Sequence, residues 1–177
     1  EYNVALQALT ARFSGRGAAP GQVNGNALAQ FRTNEIALEG RWEMREFTLS
    51  PSSKMLEPSV VQLTPDLGFN GTSTVAQFVN ENEASIIAER HTVPNSFLGA
   101  PFGGGAVFND LIAWQSPGIL NNEARHHFSL NTCNGCHSSA ETNTAFLMIF
   151  PRNPGQESSL SPFMTGTSVS DPTSGQQ

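Results

Sequence analysis

The chain contains no apolar run approaching the ~20 residues that a membrane-spanning helix requires. Basic residues are scarce: 9 Lys and Arg stand against 15 Asp and Glu, a net charge of −6. That balance disfavours nucleic acid and anionic membranes, both of which recruit cationic surfaces. Charged residues make up only 14%, low for a helix-rich surface, whereas 16 Gly and 11 Pro indicate many turns. The run Gly103-Gly104-Gly105 lacks the Lys-Ser/Thr of a phosphate-binding loop and reads as a plain loop. No internal repeat and no signal peptide is visible. The chain starts at Glu1 without Met, so the expectation is a mature or excised product. What is present suffices for a core: 177 residues with 38% hydrophobic content and 12 Phe fit one compact unit.

Cysteine is the scarcest informative residue, and both copies fall in Cys133-Asn134-Gly135-Cys136-His137. Cys-x-x-Cys-His is the attachment pattern of a c-type haem. Two thiols one short turn apart can each form a thioether to one porphyrin edge, and the next residue offers an imidazole to the iron. By chance, such a pattern would arise in roughly three of ten thousand chains of this composition. Three rivals use the same residues. A redox dithiol needs a strand–helix setting, but the preceding stretch Asn122 to Phe128 is polar and helical. A zinc site suffers because adjacent Cys136 and His137 diverge. A disulfide across two residues is strained and closes almost no loop.

Residues 1–14 are apolar with mixed spacing, consistent with a helix or a strand. Gly15 to Gly25 reads as a loop. Leu28 to Leu38 and Arg41 to Leu49 suggest a strand or hairpin, with Trp42, Met44 and Glu46 on one face. Residues 50–71 are expected as extended loop. Thr72 or Ser73 caps a helix over about 72–89 that buries Val75, Phe78, Val79, Ile86 and Ile87. Asn121 caps a second helix that delivers the chain into Cys133. The expected organisation is an N-terminal region over 1–118, a haem-binding segment over 119–165 and a flexible tail over 166–177. The expected class is α+β and loop-rich, with a small β element early and short helices around a haem late.

His137 is the expected proximal ligand. Met148 is the preferred sixth ligand: it lies 11 residues on, and that stretch reaches roughly 33–39 Å when extended. Its neighbours Phe146, Leu147, Ile149 and Phe150 are apolar, which suits a haem pocket. Met164 and His91 are the alternatives. His126 or His127 is expected near a propionate rather than on the iron, and Arg125 and Arg152 are candidate propionate partners.

The stretch Phe128 to His137 resembles the haem-attachment segment of c-type cytochromes. It departs from the small class I proteins, because only 40 residues follow His137 and about 120 precede the segment without a counterpart. Arg32-Thr33-Asn34-Glu35, Trp42 to Phe47 and Glu141-Thr142-Asn143-Thr144 with Pro151-Arg152 are similar to uncharacterised exported bacterial proteins. In those, a His often occupies the place of Met148. The resemblance implies one covalent haem c and export to the periplasm or beyond. It also implies outer-sphere electron transfer to a redox partner, for which a basic protein suits the net charge, and it leaves room for haem-to-haem association between copies. An open-site haem enzyme or gas-binding haem protein is the first alternative. A zinc- or disulfide-stabilised binding module is the second.

Overall fold

The structure, a computed structural model, describes residues 2–22, 24–33, 43–104, 107–108, 110, 112–136, 138, 141, 152–160 and 165. It mixes helices with small antiparallel sheets, an α+β arrangement. Helix α1 (Tyr2–Ser14) comes first, and none of its residues is buried. Its last carbonyls are held by Asn26, whose Nδ2 donates to Ser14 O at 2.8 Å and Gly15 O at 3.2 Å.

The early β element is a three-stranded sheet in the order β1 (Gln30–Arg32), β3 (Glu46–Leu49), β4 (Leu56–Ser59). Strand β4 falls where loop was expected. Its sequence, Leu-Glu-Pro-Ser, carries no alternation, and it is ordered by pairing with β3, Phe47 opposite Pro58. Met44 and Glu46 are buried while Arg45 between them is exposed, as the alternation predicts. Strand β2 (Glu43–Met44) pairs with β7 (Val107–Phe108). Strands β5 (Ser96–Phe97) and β6 (Ala100–Pro101) form a hairpin whose turn residues Leu98 and Gly99 both have positive φ, 53° and 79°. That is the backbone of a type I′ turn.

The expected helix over 72–89 is two helices, α2 (Ser73–Glu81) and α3 (Glu83–Ile87), meeting at Asn82. Asn82 donates from Nδ2 to Phe78 O at 2.8 Å and accepts from Ser85 Oγ at 2.8 Å. Such local bonding competes with helix continuation. Thr72 is the N-cap, and Val75, Phe78, Val79 and Ile86 are buried, with Ile87 packed at the edge. Helix α4 (Asn122–Leu130) follows, capped by Asn121 Oδ1, which accepts from Glu123 N at 2.9 Å.

The core lies where α2, α3, α4 and the β5–β6 hairpin converge. Phe78 sits at its centre, with ring centroids 5.1 Å from Phe102, 5.4 Å from Phe97 and 5.8 Å from Phe128. Trp114 meets Phe128 edge-on at 5.8 Å. Tilted and edge-on contacts at these distances are the favoured aromatic geometries. Helix α4 is therefore anchored by the main core immediately before the cysteine pair. Among the described residues, no helix is long and apolar enough to cross a membrane.

Candidate functional site

Helix α4 closes with Asn131 as its C-cap, and Thr132 leads into the single turn α5 (Cys133–Cys136). Thr132 Oγ1 accepts from Gly135 N–H at 3.0 Å and donates to Ser129 O at 2.6 Å. It thus caps α5 and ties it to α4 at once. The free N–H of Cys133 is taken by Thr64 Oγ1 at 3.1 Å, and Cys136 N–H reaches Thr132 O at 3.0 Å. Gly135 lies against the end of α4: a Cβ there would stand 1.9 Å from Ser129 O.

Both thiols are free. Cys133 is buried in a small apolar cluster with Met44 and Val61, and its Sγ lies 3.6 Å from Thr64 Oγ1. Cys136 is half-buried. Burial pushes both thiol pKa values up, with the Thr64 hydroxyl and Arg32 opposing it at Cys133. At Cys136, the neighbouring Cys133 adds to burial and Arg32 opposes it. Nearby, the fully buried Glu46 carboxylate accepts through Oε2 from Arg32 Nε at 2.8 Å and Gln62 N–H at 2.9 Å. Asn134, also buried, donates to Asp110 Oδ1.

After the pentapeptide the chain is held again. Ser138 N–H donates to Gly135 O and Glu141 N–H to Ser138 O, each at 3.0 Å. The side chain of Glu141 is fully buried and gripped by two neighbours on α4. Arg125 forks onto it, with Nη2 3.2 Å from Oε2, and His126 Nδ1 lies 2.6 Å from the same oxygen. Arg125 is further engaged by Trp114 O at 3.0 Å and Asn122 Oδ1 at 2.8 Å. Its guanidinium thus engages three protein groups at once. A cleft of about 820 Å³ opens beside this cluster, lined among others by Gln115, Asn122, Arg125 and Glu141.

His91 is buried, with its ring 6.0 Å from that of Phe128, and neither ring nitrogen has a hydrogen-bond partner among the described residues. Burial pushes its pKa down, against a smaller opposing effect of Glu89. This downward shift has a predictable effect on folding. The unfolded chain binds a proton at the ordinary value near 6.5, whereas the folded chain resists it. Stability associated with His91 is therefore present above about pH 6.5 and is lost as pH falls below it. Urea midpoints measured at pH 7.5 and 5.5 should show a smaller acid loss in His91→Leu than in the parent chain. Equal losses would mean that His91 titrates alike in the folded and unfolded chains.

His127 Nδ1 stands 3.3 Å from Glu89 Oε1 without hydrogen-bond alignment. Arg152 donates to Gln156 O at 2.6 Å. The other three ligand candidates, His137, Met148 and Met164, lie outside the described residues. Among the described residues, no group of three or more His, Cys, Asp and Glu is placed to hold a metal ion. The structure thus joins Cys133 and Cys136 on one turn, and adds partners that sequence reasoning missed: Thr64, Glu46, Asp110 and the clamp on Glu141. Their only sequence signal is residue type, since each contact spans at least 14 positions. No family model matches the chain, and comparisons with curated proteins and with solved structures yield no match.

Proposed function

We propose that this chain is an exported monohaem c-type cytochrome that carries electrons by outer-sphere transfer. The observation that carries the reading is the cysteine pair. Two free thiols, the only ones in the chain, occupy the ends of one helical turn and are followed by His137. This donor set fits a haem held by two thioethers. When bound, the haem supplies a one-electron iron couple, and the chain holds, orients and shields it. Cys133 and Cys136 are the attachment points, His137 the proximal ligand and Met148 the preferred sixth ligand.

Two further observations support the reading over its rivals. Redox dithiols work through a depressed thiol pKa, whereas burial raises both values here. The apolar surroundings of Cys133 suit a porphyrin edge better than an aqueous ion. The setting is periplasmic or extracellular, and the partner is a redox protein whose basic surface would complement the net charge of −6.

The purified protein should be red, and its intact mass should exceed that of the chain by one haem. Acid–acetone extraction should leave the colour on the protein. A colourless protein of unmodified mass ends the reading. The sixth ligand has one competitor with an observation of its own, because burial lowers the His91 pKa and neither ring nitrogen has a hydrogen-bond partner among the described residues. Met148→Ala should abolish the low-spin spectrum and admit carbon monoxide. Loss of that spectrum in His91→Ala instead would make the iron bis-His ligated, with a lower potential than His–Met ligation.

A further inference from the structure

We propose that the cleft between the turn after α1 and the β3–β4 turn is a binding site for a small amphiphilic anion, a carboxylate carried on a hydrocarbon body. The inference is independent of the cytochrome reading.

Two short segments build the cleft. One follows α1 and contributes Arg16; the other is the turn from Ser50 to Met55, which contributes Lys54. Asn26 fastens the first segment, donating from Nδ2 to Ser14 O at 2.8 Å and accepting at Oδ1 from Leu28 N–H at 2.6 Å. Leu49 N–H then donates to Ala29 O at 2.9 Å, so both walls are tied to β3. The enclosed volume is about 880 Å³, within the range that holds a small organic ligand.

The lining has two characters. Leu28 and Leu49 are half-buried, while Met55 and Leu56 remain 67% and 44% exposed, apolar surface left in water. Arg16 and Lys54 also line the cleft, and among the described residues neither side chain has a hydrogen bond or an ion pair. Among the described residues no Asp or Glu lines it, in a chain of net charge −6. Glu57 is not part of the lining, and its Oε1 accepts from Ser53 Oγ at 2.7 Å. The backbone at Lys54 is left-handed, with φ 61°, where Gly or Asn is the easier residue. The turn alone gains nothing from a lysine there, whereas a second cation beside Arg16 serves an anionic ligand. A purely polar anion would leave the apolar wall in water, and a neutral hydrocarbon would desolvate both cations without compensation. One molecule with a carboxylate head and an apolar body satisfies both parts of the lining.

The test is calorimetric titration of the full chain with decanoate, kept below its micellar range, and with 1-decanol and acetate as its two halves. Decanoate should bind tighter than either half by about tenfold or more. Arg16→Gln and Lys54→Asn should each weaken it about threefold, and together about tenfold, as expected for exposed charge contacts. Asn suits the left-handed backbone at position 54, so Lys54→Asn should lose affinity while keeping or raising the melting temperature. That variant separates binding from folding. Met55→Ser should weaken decanoate about tenfold by removing apolar contact. Equal affinity for decanoate and 1-decanol would overturn the proposal, as would parent affinity in the double charge variant. Capture by phosphatidylglycerol vesicles without binding of free decanoate would overturn it too, and would assign the two cations to a membrane surface.

Discussion

Gly135→Ala is expected to destabilise the protein by about 3 kcal/mol or more, at or beyond the upper end of the usual cost of overpacking. The added Cβ would lie 1.9 Å from Ser129 O, 2.4 Å from Ser129 C and 2.5 Å from Ser129 Oγ. Two of those atoms are backbone or carbonyl atoms at the end of α4, where no rotamer change gives relief. Helix α5 would have to move away, breaking the Thr132 cap and the bonds from Thr64 to Cys133. At roughly 2–4 °C per kcal/mol for a chain of this size, calorimetry should show a fall of about 6–12 °C. On the cytochrome reading proposed above, the mass spectrum should also show reduced haem loading, because the two thiols would no longer hold their relative places. A contrasting substitution is Gly17→Ala, where φ is +78° and, among the described residues beyond its chain neighbours, no atom lies within 4 Å of the new carbon. Only left-handed backbone strain remains there, about 1–2 kcal/mol. Similar losses at both positions would mean that α5 does not press on Ser129 as described.

Arg125→Met should cost about 3 kcal/mol, the lower end of the range for stranding a buried charge. The Glu141 carboxylate is fully buried and would be left with His126 as its remaining side-chain partner described here. The two bonds from Arg125 to Trp114 O and Asn122 would be lost as well. The companion double variant Arg125→Met with Glu141→Leu removes the stranded charge, and should recover most of the loss. Urea denaturation of the parent, single and double variants gives the three free energies needed. A double variant no better than the single one would locate the loss in packing around Trp114 rather than in the charge.

The parts of this fold that were legible beforehand are those with local causes. Thr72 and Asn121 cap the helices that follow them because a short polar side chain reaches the next exposed N–H groups. The apolar spacing of Val75, Phe78, Val79 and Ile86 marks a buried face whatever it packs against. The break at Asn82 was missed because the apolar period runs straight through it, while the competing bonds come from single side chains. Strand β4 was missed because a Pro-containing tetrapeptide becomes a strand only beside β3. At the site, the cysteine pair was legible as a pattern, and the structure places both residues on one turn. The tie from Glu141 to Arg125 was not, because it joins residues on opposite sides of the pentapeptide with no periodicity between them.

The exposed first helix has a different kind of consequence. Thirteen residues with none buried gain little packing energy from the body of the protein. A helix of that length is marginal in water on its own, and here its last turn is moored through Asn26. Its opening and closing are therefore set by the energetics of a tethered peptide. The cooperative unit that denaturant melts as a whole is built from the aromatic core and the turn that follows α4. A probe placed on α1 would report the tether, and only a probe beside Phe78 or Trp114 would report the fold.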